Sequence, residues 1–399
     1  MHERTDTTYA ASRTSGVAKF LILQAVLIAL GAAWATARVR EQNLAAALPE
    51  LRPVPLDIRP TYDYPVVVSD DQLSRVLTKL RPRNNGPKTK LNYIDHALRF
   101  WTAKAKFKDP AYFSGEQMRG ILTDNRQFVA LYGTQTPPLL IDAPNGVRVR
   151  MQDGLATSSH DDHTMAGLAE VGTPLDFPVV TPTHKTDYRA MVDQALLDFS
   201  LNQVEYEWSA ATFALLMSSR NDWITSEGQQ MNFDRIARRM MREELPRGVC
   251  FGNHRLYTLT LLLRVDAEQK ILSPVVRTEI TDFLIGMTAK LVQHQHVDGF
   301  WDGKWPLRPA SSDVKEMSSG DLMTDRILAT GHALEWWAMA PAECHPPRET
   351  LAKAGQWMVR TVENLTPEQV DSYYTFLTHA GRSLALWRGK LPNEVTLLE

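Results

Sequence analysis

Five of the eleven histidines stand at one position of a recurring helical pattern. In that pattern a histidine is followed by small and apolar residues, as in "GHALEWWAM" at 331–339. Imidazole titrates near neutrality and can act as a general acid, a general base or a ligand. The recurring position is therefore the candidate chemical site, and its copies are His96, His163, His254, His332 and His379, with Trp208 in the sixth copy.

The copies define an internal repeat. They recur about every 46 residues once two insertions, 133–158 and 303–325, are set aside. A second amphipathic helix is predicted between successive copies, and two helices per repeat is the unit of α-helical arrays. Six repeats indicate an all-α fold of about six helical hairpins closed into a double ring, an (α/α)6-type toroid. An open superhelical stack is the alternative.

The toroid predicts where the repeated residues lie. The first helix of each repeat is richer in small and apolar residues, so we place it in the inner ring. The inner helices then begin on one rim, and the histidines are expected to face a common cavity mouth. The alternative is a structural role, in which each histidine caps its helix or hydrogen-bonds to the neighbouring repeat.

The rest of the chain is organised around this domain. We expect a short tail over 1–19, an apolar segment over 20–37, a proline-containing linker over 38–69 and the toroid domain over 70–399. Two short apolar runs around Pro-Asn-Gly predict a small β-hairpin insertion near 137–151. Ser69 and Ser114 are predicted helix N-caps.

The apolar segment predicts contact with a membrane. Its length is borderline for a spanning helix, which needs roughly 20 residues, and basic residues flank both of its ends. We favour a retained anchor, with the bulk of the chain outside the cytoplasm, in the periplasm or at the cell surface. A cleaved secretion signal is the alternative, because "ATA" at 35–37 resembles a cleavage site.

Composition narrows the range of partners. The 44 lysines and arginines nearly balance the 46 acidic residues, so the net charge of −2 gives no reason to expect nucleic acid as a partner.

The two cysteines, Cys250 and Cys344, are predicted either to pair or to remain buried thiols. No CxxC spacing or cofactor-binding motif occurs, so the sequence assigns no metal ligands and no cofactor. The cluster "HDDH" at 160–163 leaves a divalent metal open as a less favoured alternative to helix capping.

One loop resembles a known repeat. "QHVDGFW" at 295–301 fits the pattern Q-x-x-D-G-x-W after an amphipathic helix. It is similar to the QW repeat of the squalene-cyclase and prenyltransferase superfamily, whose members are α/α toroids. The resemblance implies a structural role, in which Gln295 and Trp301 tie the outer helix to the next turn. The acidic D-x-D-D motif of the cyclases is absent.

A second resemblance concerns "TGHALEWW" at 330–337. It is similar to a helix of the N-acylglucosamine 2-epimerase group of (α/α)6 enzymes. That resemblance implies that His332 transfers protons and that Glu335 supports it one turn along the helix. The second catalytic histidine of that group corresponds only to His379.

Together these patterns predict a membrane-anchored or exported enzyme that uses acid/base histidines on a carbohydrate-like or other small polar substrate. The predicted proton-transfer residues are His254, His332 and His379, with Asp298 and Glu207 as carboxylate partners. The predicted ligand-binding residues are Trp301 and Trp305 as a stacking platform, with Trp208, His96 and His163 lining the cavity. A non-catalytic binding or scaffold toroid is the first alternative. A terpenoid cyclase or prenyltransferase-like enzyme is the second.

Overall fold

The computed structural model describes residues 9–45, 48–152, 154–218, 222–245, 249–306 and 322–398. These residues are mostly helical and form fourteen α-helices with three short two-stranded antiparallel sheets. The predicted all-α class is therefore confirmed.

The N-terminal helix stands apart from the rest in composition. Helix α1 spans Tyr9–Ala45, and its stretch Gly16–Thr36 has a mean hydropathy of 2.0 with none of it buried. It is the one described helix long and apolar enough to cross a membrane. Its length and composition are compatible with a membrane anchor or a signal sequence.

Six helices pack side by side in chain order, and the last of them packs against the first. Most of these helices carry apolar or small residues on every side, so nearly all of their side chains are buried. In the third, every residue from Tyr206 to Leu216 is buried. These helices are α3 (Leu91–Trp101), α6 (His163–Glu170), α8 (Tyr206–Leu216), α10 (Asn253–Gln269), α12 (Leu322–Met339) and α14 (Pro367–Leu386).

A second set of helices alternates with the first along the chain. They are amphipathic, as α9 illustrates: it buries Phe233, Ile236, Ala237 and Met240 at helical spacing and leaves most of its arginines partly or fully exposed. The set comprises α2 (Asp70–Lys79), α4 (Gly115–Thr123), α5 (Asn125–Tyr132), α7 (Tyr188–Asp198), α9 (Phe233–Arg242), α11 (Pro274–His294) and α13 (Arg348–Asn364).

The two ends of the helical domain pack against each other. Helix α2 packs against α13 and α14, so the first helix of the domain is the partner of the last. The predicted caps Ser69 and Ser114 are confirmed, since each forms a reciprocal capping box with the glutamine three residues later.

The predicted hairpin is confirmed. Strands β1 (Leu140–Ala143) and β2 (Gly146–Val149) pair antiparallel with Ala143 opposite Gly146. The other described pairs are β3 (Pro178–Val180) with β4 (Lys185–Asp187), and β5 (Trp223–Ile224) with β6 (Gln230–Met231). All three pairs lie in connections between helices of the two sets.

The predicted linker is not a free tether over its second half. Helix α1 continues to Ala45, and from Leu51 onward the chain lies against the helical domain. Leu51 bridges Met217, the Tyr64 amide donates to the Trp387 carbonyl at 2.7 Å, and Val67 is fully buried. The segment therefore belongs to the packed domain. Cys250 and Cys344 are both free thiols.

Candidate functional site

Six histidine rings meet among the six packed helices and form a closed path of contacts, which we call the histidine cluster. It contains all five histidines of the repeat and adds His160 from the loop before α6. Neighbouring ring centroids along the path are 3.8 to 5.8 Å apart. The path runs from His96 to His163 (4.3 Å), to His160 (5.6 Å) and to His254 (5.7 Å). It continues to His332 (5.1 Å) and to His379 (3.8 Å), and returns to His96 (5.8 Å).

The cluster lies in the interior and not on a rim. His163 and His254 stand at the beginning of their helices, as expected, but His332 lies near the middle of α12 and His379 in the second half of α14. The five repeat histidines are between 0 and 6% exposed. The sequence register therefore located the histidines relative to one another but not their depth, since His163 and His254 at helix beginnings are as buried as His332 and His379.

Close packing of α12 on α14 brings two of the rings together. A Cβ atom added at Gly331 would lie 3.0 Å from the amide nitrogen of Ala380. Glycine at 331 lets the two backbones approach, and the rings of the adjacent His332 and His379 are consequently the closest pair in the cluster.

All six histidines direct Nδ1 toward an oxygen acceptor. Nδ1 lies 2.9 Å from a backbone carbonyl in one case and 2.8 to 3.5 Å from a carboxylate in the other five. The pairs are His96 with the Asn92 carbonyl, His160 and His254 with Glu205, His163 with Asp95, and His332 and His379 with Glu335. In His163, His254 and His332 the contact is close without the direction of a full hydrogen bond. These acceptors favour the tautomer with the proton on Nδ1.

The opposite ring nitrogen is unpartnered. Among the described residues no hydrogen bond reaches Nε2 of any cluster histidine, and Nε2 of His163 and of His332 is fully buried. With the proton on Nδ1, each Nε2 carries a free lone pair. Six lone pairs are thereby gathered in one region of the protein interior.

Burial keeps four of these rings neutral. It lowers the pKa of His96, His332 and His379, and it lowers the pKa of His254 to about 3. Desolvation disfavours the charged imidazolium, so neutral imidazole is the form of these rings at pH 7. For Glu205 burial acts against ionisation, but His160 and His254 outweigh it and hold the pKa of the carboxyl at about 2.

Three of the six packed helices are preceded by a residue with left-handed backbone. Asp162, Glu205 and Gly252 immediately precede α6, α8 and α10, and their φ angles are 55°, 59° and 75°. Left-handed backbone at a residue other than glycine costs about 1–3 kcal/mol and concentrates at functional sites. The same left-handed conformation therefore recurs before three successive helices of the packed set.

A layer of paired charges lies one helical turn from the histidines. Glu170 accepts from Arg99 at 3.0 Å, from Arg382 at 2.8 Å and from the Tyr257 hydroxyl at 2.8 Å. Glu335 also pairs with Arg99, at 2.9 Å, and with Arg382. We call these five residues the charge layer.

The charge layer was missed by the sequence reasoning, although a signal existed. Four of its members stand three residues after a repeated histidine, and they are Arg99, Tyr257, Glu335 and Arg382. Buried charge at one position of an otherwise apolar helix indicates a paired network. Only Glu335 was named beforehand, and only through a resemblance.

A cavity of about 840 Å³ connects the cluster with the surface. His96, His160 and His379 line it, and so do the exposed residues Lys88 and Ser372. Its wall is mixed, with the aromatic rings of Tyr93, Phe251, Tyr374 and Phe376 beside lysine and aspartate side chains. The cavity is large enough for a small-molecule ligand.

Trp208 lies against the cluster, as the repeat predicts. Its ring centroid is 4.7 Å from His163 and 4.7 Å from His254, and the side chain is buried. The other repeat residues predicted to line the cavity, His96 and His163, lie within the cluster, and His96 borders the cavity itself.

Glu207 is close to the cluster in sequence but faces elsewhere. It is 2% exposed, and it borders a separate cavity of about 460 Å³ with Arg239, Arg242 and Arg255. Burial raises the pKa of its carboxyl to about 7. The structure does not bring Glu207 together with the three predicted proton-transfer histidines.

The loop around Trp301 is separate from the cluster. The Gln295 amide donates to the carbonyls of Gly299 and Thr350, and the Trp301 indole donates to the Leu291 carbonyl at 2.8 Å. These bonds tie α11 to α13. Trp301 and Trp305 are 1% and 2% exposed, and they are too deeply buried to serve as the predicted stacking platform.

Asp298 also lies outside the cluster. Its side chain is 65% exposed and lies 3.3 Å from Nδ1 of His296, which is not a cluster residue. The structure therefore does not bring Asp298 together with the cluster histidines. Glu205 and Glu335 occupy that position instead.

The "HDDH" segment divides between two environments. His160 and His163 join the cluster, whereas Asp162 accepts from Ser209 at 2.5 Å and does not cap α6 with its side chain. Asp161 borders a smaller cavity of about 220 Å³, which it shares with His160. Burial and the neighbouring Asp162 and Glu205 raise the pKa of Asp161 to about 6.

Two sets of potential metal ligands lie within the cluster. His332, Glu335 and His379 bring one ligand atom each within 4.8 Å of one another, and so do Cys250, His254 and His332. Glu335 already neutralises Arg99 and Arg382, which makes it a better hydrogen-bond acceptor for the histidines than a ligand.

Comparison with known proteins adds no assignment to this geometry. No family model, curated protein or solved structure matches the chain. The function must therefore be inferred from the site itself.

Proposed function

We propose that this chain is a membrane-anchored enzyme with an α/α-toroid domain whose catalytic centre is the histidine cluster. The toroid is supported by the cyclic packing of α3, α6, α8, α10, α12 and α14, with a second set of helices alternating along the chain. The substrate we propose is a small polar molecule of the carbohydrate type that enters through the 840 Å³ cavity.

One observation carries the proposal. Six imidazoles, each with Nδ1 facing an oxygen acceptor and Nε2 unpartnered among the described residues, form a cluster that a cavity from the surface reaches at His96, His160 and His379. Histidines with purely structural roles would be satisfied one by one, yet His96 is the one cluster member that bonds a backbone carbonyl. Unpaired buried polar groups of this kind are costly, and they are found where a ligand completes the bonding.

The wall of the cavity favours a polar substrate. Lys88, Lys90 and Asp371 supply charge, while Tyr93 and Tyr374 supply aromatic surface. Sugar rings present apolar faces and polar edges, so such a mixed wall suits them. A terpenoid substrate would favour a uniformly apolar wall, which makes the cyclase alternative the weaker one.

The pKa values redistribute the chemical roles within the proposed site. A general base works best with a pKa near the operating pH, and His254, with a pKa of about 3, is a weak base there. Asp161, with a pKa of about 6, suits proton transfer better. We propose that the imidazoles bind and polarise the substrate and that Asp161, which borders the smaller cavity that His160 also lines, exchanges protons with the site through His160.

The N-terminal helix sets the proposed location. We propose that Gly16–Thr36 anchors the chain and that the helical domain faces the extracytoplasmic side. Support comes from the composition of this 21-residue stretch, which has a mean hydropathy of 2.0 and no buried residue, because such an exposed apolar surface is stable only in a lipid or lipid-like environment.

Turnover by the full chain tests this function. The protein in detergent micelles would be incubated in D2O with neutral sugars, amino sugars and uronic acids, and proton NMR would follow hydrogen exchange at carbon or new products. We expect turnover of at least one class, with loss of turnover in His379→Leu. The exposed His294 provides the matched control, and His294→Leu should retain the activity. Saturable binding without turnover would favour the non-catalytic binding toroid, and neither binding nor turnover would refute the proposal.

A further inference from the structure

We propose that Cys250, His254 and His332 form a binding site for a single thiophilic metal ion, with zinc as the expected metal. The protein ligands are the thiolate sulfur and one nitrogen of each imidazole. The inference rests on the proposed function only in that the site borders the cavity through which the proposed substrate enters, since metal binding requires no turnover.

The ligand atoms of these three side chains lie close together. Sγ of Cys250 and one nitrogen each of His254 and His332 are within 4.8 Å of one another. The two ring centroids are 5.1 Å apart and the rings are inclined at 70°, so they are not stacked face to face. Zinc is bound by thiolate at about 2.3 Å and by imidazole at about 2.0–2.1 Å. Small rotations of the side chains therefore bring the three atoms onto one ion.

The turn before α10 places the thiol beside the two imidazoles. Cys250, Phe251 and Gly252 have φ angles of 51°, 60° and 75°, so three consecutive residues are left-handed. The Asn253 side-chain amide donates to the Cys250 carbonyl at 2.9 Å and holds this turn. Left-handed backbone at residues other than glycine is costly and concentrates at functional sites. The conformation therefore supports a functional role for the thiol that it presents.

The two imidazoles beside the thiol have no full hydrogen bond among the described residues. Three of the six cluster histidines form a full hydrogen bond through Nδ1 and three form none; the latter are His163, His254 and His332. Two of the three unsatisfied rings are thus the two nearest to Cys250. Buried polar atoms are normally paired, and a bound ion is one explanation for those that are not.

A carboxylate lies behind each of the two imidazoles. Nδ1 of His254 is 3.3 Å from Glu205, and Nδ1 of His332 is 3.5 Å from Glu335. A histidine that ligates a metal almost always directs its other N–H to a carboxylate, a carbonyl or a water, which orients the ring and raises the basicity of the ligating nitrogen. These carboxylates therefore favour ligation through Nε2 of both rings, and their negative charge favours a cation nearby.

The donor set selects the metal and leaves it accessible. One thiolate and two imidazoles suit zinc, whereas magnesium and calcium take oxygen ligands. Because the thiolate is the ligand, binding releases the Cys250 proton to solvent. Three protein ligands leave one position of a tetrahedral ion open, and Cys250 borders the cavity of about 840 Å³. The ion therefore lies at the wall of the cavity and takes its fourth ligand from it.

Cobalt substitution in the intact chain tests the site. The full chain purified in detergent should contain about one equivalent of zinc. After a chelator has removed the zinc, Co²⁺ should bind saturably and produce the near-ultraviolet absorption of sulfur-to-cobalt charge transfer. Cys250→Ser should abolish this absorption. The matched control Cys344→Ser should retain it, because the Cys344 thiol lies against the Thr281 carbonyl and outside the cluster.

Two histidine variants test the other ligands. His332→Leu removes a ligand and should weaken Co²⁺ binding by more than the about 10–100-fold that loss of an outer-shell partner costs. His96→Leu is the matched control, since this buried ring contacts neither His254 nor His332 among the ring pairs of the cluster, and it should bind Co²⁺ as the wild type does. Charge-transfer absorption that persists in Cys250→Ser, or Co²⁺ affinity that is unchanged in His332→Leu, would overturn the site.

The outcomes separate this inference from the proposed function. Charge-transfer absorption without turnover of any substrate would uphold the metal site and refute the enzyme. Turnover by a folded wild-type chain that shows no such absorption would uphold the enzyme and overturn the metal site. A folded wild-type chain with neither would overturn both, without reliance on any variant.

Discussion

Two polar layers lie one helical turn apart in the same helices, and they differ in how their groups are paired. In the charge layer Arg99, Arg382 and Tyr257 converge on Glu170 and Glu335 through charge-assisted hydrogen bonds. In the histidine cluster Nδ1 of every ring faces an oxygen acceptor, with a full hydrogen bond in His96, His160 and His379, and no Nε2 has a partner among the described residues. Both layers are buried, so the contrast does not come from access to water.

The difference in pairing indicates that the two layers have different roles. The charge network fixes the relative positions of α3, α6, α10, α12 and α14 and leaves one buried nitrogen, Nη2 of Arg99, without a partner, so it offers little for a ligand to bind. An unsaturated layer held rigid by that network is preorganised to receive one. Glu335 connects the two, since it pairs with arginines on one side and with His379 on the other.

The largest expected effect comes from breaking the charge layer. Glu170→Leu leaves Arg99 and Arg382 buried with less compensating charge, and removal of one partner from a buried ion pair costs about 3–5 kcal/mol. Chemical unfolding of the full chain in micelles would measure the loss. The control Glu363→Leu removes the partner of Arg75 in a solvent-exposed pair, which is worth about 0–1 kcal/mol. Equal losses in the two variants would contradict a structural charge layer.

The pH dependence of stability should reveal the neutral histidines. His254 has a folded pKa of about 3 and an ordinary value of 6.5, so the unfolded chain binds more protons between these limits. Its contribution to stability is complete above pH 6.5 and is lost as the pH falls toward 3, at about 1.4 kcal/mol per pKa unit. His254→Leu should therefore flatten the acid limb of the unfolding free energy in metal-free protein. An unchanged acid limb would show that His254 is not held neutral.

A smaller effect is expected from one ring of the histidine layer. In metal-free protein, His332→Leu removes two buried nitrogens without full hydrogen bonds and keeps most of the volume. Replacing unsatisfied polar groups by apolar ones is close to neutral, so we expect a change within about 1 kcal/mol. The same unfolding measurement applies, and a loss comparable with that of Glu170→Leu would erase the distinction between the layers.

The smallest effect should come from Asp298, which belongs to neither layer. Its side chain is exposed and its nearest charged partner is the exposed His296, so Asp298→Ala should change the unfolding free energy by less than about 0.5 kcal/mol. Metal content and turnover should also be unchanged. Loss of either on this substitution would restore the catalytic role that the sequence predicted for this residue.

The repeat explains why part of the site was predictable. A shared position in successive helices brings His96, His163, His254, His332 and His379 together once the helices pack in order, and the sequence contains both the period and the residue. It does not contain the depth at which that position lies, since His163 and His254 at helix beginnings are as buried as His332 and His379 within their helices.

Other parts of the site depend on three-dimensional contacts that no local pattern encodes. Glu205 reaches His160 and His254 because its backbone is left-handed at the start of α8. Asp298 and Trp301 lie apart from the cluster because the hydrogen bonds of their loop join α11 to α13, a contact that the loop motif alone does not reveal.

The tautomeric state of the cluster histidines tests the central claim most directly. Nitrogen-15 NMR of the metal-free full chain labelled at histidine distinguishes a protonated Nδ1 from a protonated Nε2, and single His→Leu variants assign the signals. We predict that His96, His254, His332 and His379 are neutral with the proton on Nδ1, and that His254 remains so well below pH 6. Rings protonated on Nε2, or a His254 signal that titrates near pH 6.5, would contradict a centre of six available lone pairs.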